Sequence, residues 1–186
     1  MNSKISRLLE IAYENGALKT GKFVLSSGKE SHYYFDGRLL SLDPEGINLI
    51  ADVMLDVMKE RHLDGIGGPT LAADPIVAAV CAKSFDGSSG LPGFIVRKEA
   101  KQHGMNQLIE GSLDEGNRVV IVDDTCTTGG SLFHAIEAAE SQGAIVDLVM
   151  VVLDRNEGGS QEVRNRGYNF ESLVYVNDKG EFISDI

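Results

Sequence analysis

Two neighbouring carboxylates, Asp123 and Asp124, run straight into seven small residues, Thr125, Cys126, Thr127, Thr128, Gly129, Gly130 and Ser131. Ionised carboxylates only accept hydrogen bonds, so a pair of them suits a ligand rich in hydroxyls, such as a ribose. Small residues let a ligand come close to the backbone. Gly129 and Gly130 can take φ > 0 and turn successive N–H groups inward. A helix starting after them adds free N–H donors and a partial positive charge, and the sum is an anion site suited to phosphate. The loop has no lysine and no Gly-Lys-Ser/Thr, so it is not a Walker A loop. The plain alternative is a capped helix after a core strand, with Asp123 and Asp124 as turn residues. Apolar strand, paired acids, small-residue loop and helix in one piece favour a ligand site at the carboxyl end of a parallel sheet.

A second group is basic. Arg97, Lys98, Lys101 and His103 fall within the eight residues Arg97 to Gly104 of a chain whose formal charge is −11, from 28 acids against 17 bases. A solvated loop is the usual reading of such a run. Local positive charge against so acidic a background points instead to a mobile loop that closes over an anionic leaving group and excludes water. The acidic balance disfavours nonspecific nucleic-acid or anionic-membrane binding. No apolar run approaches the roughly 20 residues of a membrane span, and the N-terminus lacks a signal-peptide core. Cys81 and Cys126 have no metal-ligand partners at useful spacing, so two reduced thiols and a cytoplasmic location are expected. Cys126 reads either as a reactive thiol or as a small space-filler.

The elements that must position these groups alternate. Helices are expected over Ser3 to Asn15, from Pro44 (capped by Asp43) to about Arg61, from Asp74-Pro75 to about Ser84, over Leu132 to Gln142, and over Ser160 to Arg166. Strands are expected over Lys22 to Ser26 and Ser31 to Phe35, joined by a turn at Ser27 to Glu30. Others are expected at Gly93 to Arg97, Val119 to Asp123, Ala144 to Leu153 and Ser172 to Val176, and Asp64 to Leu71 reads as a short strand running into a glycine-rich turn. Gly65-Ile-Gly-Gly68 lacks the full dinucleotide fingerprint and reads better as a tight loop near a phosphate. Strand–helix alternation over 186 residues implies one α/β domain with a mostly parallel central sheet flanked by helices. The segment to about residue 40 would form a small N-terminal hood over its carboxyl edge. Tyr33, Tyr34 and Phe35 read either as packing for that hood or as a wall for a planar ring.

The stretch Val119 to Ser131 resembles the phosphoribosyl pyrophosphate (PRPP) motif of the type I phosphoribosyltransferases. Arg97-Lys-Glu-Ala-Lys-x-His-Gly104 resembles the catalytic loop of the orotate phosphoribosyltransferases among them. Three further pieces are similar to that family: Phe23-Val-Leu-Ser-Ser-Gly28 with Ser31 to Phe35, Gly67 to Pro75, and Leu153 to Glu157. The chain departs from many members at Ser26 and at Leu71-Ala72-Ala73, where they carry lysines.

The resemblance implies the type I fold and transfer of a ribosyl phosphate from PRPP to orotate. It implies that Asp123 and Asp124 hold ribose hydroxyls and that Thr125 to Ser131, Cys126 included, wrap the 5′-phosphate. Arg97, Lys98, Lys101 and His103 would bind pyrophosphate, with Lys101 catalytic. Thr127 and Arg155 would bind orotate, with Tyr34 and Phe35 lining the base. Mg²⁺ would be held mainly by substrate and water, with no dedicated protein metal cage. A homodimer whose basic loop reaches the neighbouring site is also implied. Two rivals remain at this level: a phosphoribosyltransferase for purines or uracil, and a ligand-sensing regulator built on the same fold.

Overall fold

The computed structural model describes residues 2–24, 30–99 and 108–186. Helix α1 (Ser3–Glu14) begins where Asn2, one residue before the expected Ser3, accepts the Lys4 N–H at 2.9 Å. It buries Ile5, Leu8, Ile11 and Ala12. Strands β1 (Leu18–Val24) and β2 (Glu30–Phe35) pair antiparallel in a separate two-stranded sheet. Most of the turn expected between them lies outside the described residues. A short helix that the sequence did not announce follows, α2 (Gly37–Ser41), and then α3 (Pro44–Met58). Asp43 caps α3 as expected, its carboxylate accepting from Glu45 and Gly46 N–H groups at 3.0 and 2.8 Å.

From there strands and helices alternate: β3 (Gly65–Pro69), α4 (Ala73–Ser84), β4 (Gly93–Val96), β5 (Ile109–Gly111), β6 (Arg118–Cys126), α5 (Gly130–Ser141), β7 (Ile145–Asp154), α6 (Gly159–Asn165), β8 (Asn169–Val176) and β9 (Phe182–Ile183). Strands β3 to β9 form one sheet in the order β5-β4-β3-β6-β7-β8-β9. The five central strands pair in parallel, and β5 and β9 close the two edges antiparallel. The sheet is mostly parallel and flanked by helices, as expected.

Alternation along β6 and β7 sorts the core into two layers. Val120, Val122, Leu148, Met150 and Val152 pack with α1, α3 and α4. Val119, Ile121, Val149 and Val151 pack with α5 and α6. Burial on both faces is why these strands read as unbroken apolar runs.

The glycine-rich stretch corrects the loop expected at Gly65 to Gly68: it is the fully buried central strand β3. A Cβ on Gly67 would lie 2.2 Å from the Phe94 ring, and one on Gly68 would lie 2.2 Å from the Val122 carbonyl oxygen. The glycines therefore serve strand packing, and the turn comes after them at Thr70 to Ala72, where the Thr70–Leu71 peptide is cis.

The strand order positions a site. From β3 the chain moves to β4 on one side, with α4 on one face of the sheet. It then returns to β6 on the other side of β3 and proceeds outward to β7, with α5 on the opposite face. The chain reverses between β3 and β6, and the carboxyl ends of strands at such a switch point open a crevice.

Candidate active site

A cavity of about 380 Å³ occupies that crevice. Its floor is Asp123, Asp124 and Thr125 from the end of β6, and one wall is Pro69 to Ala72 from the end of β3. Tyr34 and Phe35 from the hood strand β2, and Asp36 to Arg38 from the start of α2, close the opposite side. Lys98 and Ser131 complete the lining. A second hollow, of about 510 Å³, adjoins it through the shared residues Thr70 and Lys98 and adds Arg97.

Strand β6 continues through both acids to Cys126, beyond the Asp123 limit expected. The parallel pairing of Asp123 with Val151, Thr125 with Leu153 and Cys126 with Asp154 extends the sheet under the acids and fixes their backbone. Asp123 is 5% exposed. Its Oδ2 accepts from Ser131 Oγ at 2.8 Å and its Oδ1 from the Asp124 N–H at 2.9 Å. Burial first, and then the Asp124 charge, push its pKa up to about 7. Burial likewise raises Asp124 above the usual carboxylate range. Two acceptors desolvated side by side gain from hydroxyl donors or a shared cation.

Ser131, expected among the phosphate ligands, braces Asp123 here through its hydroxyl. Gly129 takes φ +83° as the residue before α5, its carbonyl accepting the Phe133 N–H at 2.9 Å. Gly130 opens the helix with nothing among the described residues within 4 Å of the place its Cβ would occupy, so the backbone there is approachable. Thr127 and Thr128 lie on the same loop, and the Thr127 carbonyl accepts the Gly159 N–H at 3.0 Å. The Cys126 side chain is 1% exposed and packs in the α5–α6 core layer, away from the cavity. Burial drives its thiol pKa up to about 12, so it is the space-filler and can meet a ligand only through its backbone.

The basic segment is described at its start. The Arg97 N–H donates to the Leu108 carbonyl at 2.8 Å, and the Arg97 carbonyl accepts from His134 Nε2 on α5 at 2.8 Å. Its guanidinium faces Glu110 at 3.4 Å. Lys101 and His103 lie outside the described residues.

On the base side, strand alternation separates the aromatics. Tyr34 lines the cavity from one face of β2, whereas Tyr33 is buried on the other face, which Phe35 shares while reaching the cavity at the strand end. Arg155, just past β7, is not among the cavity-lining residues. Its Nε donates to Tyr33 Oη at 3.1 Å and faces Glu157 Oε1 at 3.3 Å. Sequence reasoning missed α2, which brings Asp36 and Arg38 to the cavity. Asp36 caps the helix by accepting the Arg38 N–H, and its two oxygens also take the Arg38 Nε and Nη2 at 3.0 and 3.1 Å. The Asp-x-x start was a readable cap signal, but five residues are too few to show a period. A Cβ on Gly37 would lie 2.6 Å from Asp124 Oδ2, so α2 rests directly on the acidic pair.

Buried carboxylates, an approachable glycine loop at a helix start and flanking cations suit a phosphorylated sugar. Among the described residues no three His, Cys, Asp or Glu side chains group so as to hold a metal ion, and no helix is long and apolar enough to cross a membrane.

Residues 74–178 match the phosphoribosyl transferase domain family. The orotate phosphoribosyltransferase of Rhodopirellula baltica is 39% identical over 173 residues, covering 90% of this chain and 90% of that relative. The crystal structure of Mycobacterium tuberculosis orotate phosphoribosyltransferase in complex with Fe(III) dicitrate superposes with a TM-score of 0.81 at 34% identity, over 96% of this chain and 99% of that one. The same enzyme in complex with PRPP gives 0.76 at 30% identity, over 92% and 96%.

Proposed function

The chain belongs to the orotate phosphoribosyltransferases, and we propose that it transfers the 5-phosphoribosyl group from PRPP to N1 of orotate, giving orotidine 5′-monophosphate and pyrophosphate in UMP synthesis. The observation that carries this reading is the crevice between β3 and β6, where an acidic pair, Asp123 buried and Asp124 partly buried, adjoins a glycine loop at a helix start and an aromatic wall.

In this reaction the C1–O bond to pyrophosphate breaks, the bond from N1 to C1 forms, and the N1 proton of orotate is released to solvent or the departing pyrophosphate. Positive charge develops on the sugar and negative charge on the leaving group, so the protein works by positioning and charge stabilisation. In our reading Asp123 and Asp124 accept from the ribose hydroxyls and hold the ring over β6. The backbone from Thr125 to Ser131 takes the 5′-phosphate. Arg97, Lys98, Lys101 and His103 bind the departing pyrophosphate, with Lys101 the catalytic cation. Tyr34 and Phe35 flank the base, and Thr127 and Arg155 bind orotate.

Mg²⁺ fits this donor set: the Asp123–Asp124 pair is the carboxylate oxygen group of the cavity floor, and it suits an ion shared with substrate oxygens and water. Bound there, the ion would neutralise pyrophosphate charge. We also read the enzyme as cytoplasmic, and as a homodimer whose basic loop serves the neighbouring site. The dimer rests on the family resemblance.

The test is orotate consumption followed by ultraviolet absorbance, with PRPP and Mg²⁺ present and each omitted in turn. Loss of orotate only in the complete mixture supports the assignment. Inert orotate beside an active purine base or uracil overturns it.

A further inference from the structure

We propose that Tyr33 is a positioning residue for Arg155 and thereby sets the affinity for the carboxylate of the pyrimidine substrate. This rests on the reading of Arg155 as an orotate ligand.

An arginine recognises a carboxylate well only when the plane of its guanidinium is fixed, because the two parallel N–H bonds depend on that plane. Arg155 sits where β7 ends, its backbone N–H donating to the Cys126 carbonyl at 2.9 Å. Its side chain is 11% exposed. Three contacts orient the group. Nε donates to Tyr33 Oη at 3.1 Å. The guanidinium carbon lies 4.9 Å from the centre of the Tyr33 ring. Nε also faces Glu157 Oε1 at 3.3 Å. These contacts use the Nε edge and one face. Nη2 is left buried with no hydrogen-bond partner among the described residues. An unpaired buried donor of a charged group is costly, and an incoming carboxylate would relieve that cost.

Tyr33 is itself held. It is 9% exposed, and its ring meets Phe182 of β9 edge-on, with centroids 5.1 Å apart and planes at 84°. Alternation along β2 explains the division of labour: Tyr34 faces the cavity while Tyr33 points beneath it to Arg155. Burial raises the Tyr33 pKa, so the hydroxyl stays protonated and accepts the arginine N–H as a neutral oxygen.

The experiment is a double-mutant cycle on Tyr33→Phe and Arg155→Met, reading KM for orotate, KM for PRPP and kcat separately. Phenylalanine keeps the ring against Phe182 and removes only the acceptor. The expected result for Tyr33→Phe is a rise in orotate KM of about tenfold, the size of losing a hydrogen bond to a charged group, with PRPP KM and kcat unchanged. In the Arg155→Met background Tyr33→Phe should add nothing. An unchanged orotate KM in Tyr33→Phe, beside a large rise in Arg155→Met, overturns the positioning role and leaves the Arg155 reading intact. No change in Arg155→Met removes the reading beneath it. A rise that persists in full in the double variant also overturns the proposal, because Tyr33 would then act without Arg155. KM does not depend on the folded fraction, so partial misfolding leaves the test valid. If Tyr33→Phe does not fold, Phe182→Leu, which frees the ring from behind, must give the same orotate-specific rise, and its absence overturns the proposal.

Discussion

Gly37→Ala puts the smallest possible addition against the acidic pair. The new Cβ would lie 2.6, 2.7 and 2.9 Å from Asp124 Oδ2, Cβ and Cγ. Ordinary contact begins at 3.4 Å, so something must withdraw by ~0.8 Å. Helix α2 is poorly placed to do so. Its cap residue Asp36 donates its N–H to the Ala17 carbonyl at 2.8 Å, and its Leu40 and Ser41 are 2% and 1% exposed. Asp124 is only partly buried and borders the cavity, so its carboxylate can swing away, but its Cβ can yield only with the β6 backbone that carries it. The backbone of Gly37 does not require φ > 0, and alanine is the better helix former by about 1 kcal/mol. The overpacking costs about 1–3 kcal/mol, so a modest net loss of stability is expected. A misplacement of about 1 Å in a positioning group costs on the order of 10²-fold in rate. The expected outcome is a fall in kcat/KM for PRPP of roughly 30- to 100-fold, with Tm within a few degrees of the parent. Steady-state kinetics with PRPP varied, beside a thermal melt, reads both. A kcat/KM equal to that of the parent would refute the placing of Asp124 on the ribose, and a collapse of Tm would refute the assignment of Asp124 as the group that yields.

Three further outcomes can be measured. Asp123 has a higher pKa in the fold than in the unfolded chain, so ionising it opposes folding: that penalty is absent below ~4 and grows as pH rises to about 7. Urea midpoints of the ligand-free protein should fall between pH 5 and pH 8 by an amount worth a few kcal/mol at most, and Asp123→Asn should flatten the slope; parallel slopes would count against the buried charge. Lys101→Ala is expected to lower kcat by ~10²–10³, as for loss of one transition-state cation, with little change in Tm; turnover near the parent's would remove Lys101 from catalysis. Cys126 should resist a thiol reagent at pH 8 until the protein is unfolded, and Cys126→Ala should keep most of the activity, since its side chain lies in the core; rapid native labelling would place the thiol in the cavity instead.

The sequence by itself determined a good deal. Unbroken β-branched runs such as Val119 to Val122 can only be satisfied by burial on both faces, which fixed the parallel sheet. Asp123-Asp124 and the Thr125 to Ser131 loop are contiguous, so their joint chemistry needed no long-range information. Strand alternation was also legible in principle, yet Tyr33, Tyr34 and Phe35 form an unbroken aromatic run that hides which ring faces the cavity. Other features were decided only in three dimensions. The β3 glycines looked like a phosphate loop because a sequence shows missing side chains but not what fills their place; here Phe94 and the Val122 carbonyl do. Cys126 sat inside a ligand motif, but one strand position turned its side chain into the core. Arg38 reached the cavity through a five-residue helix too short to have a period, and Arg155 met Tyr33 across 122 residues of chain. Local pattern fixes which groups are adjacent along the chain and which way a strand or helix turns them. Contacts between distant segments depend on strand order and on which face each helix covers, and those are set by the packing of the whole domain.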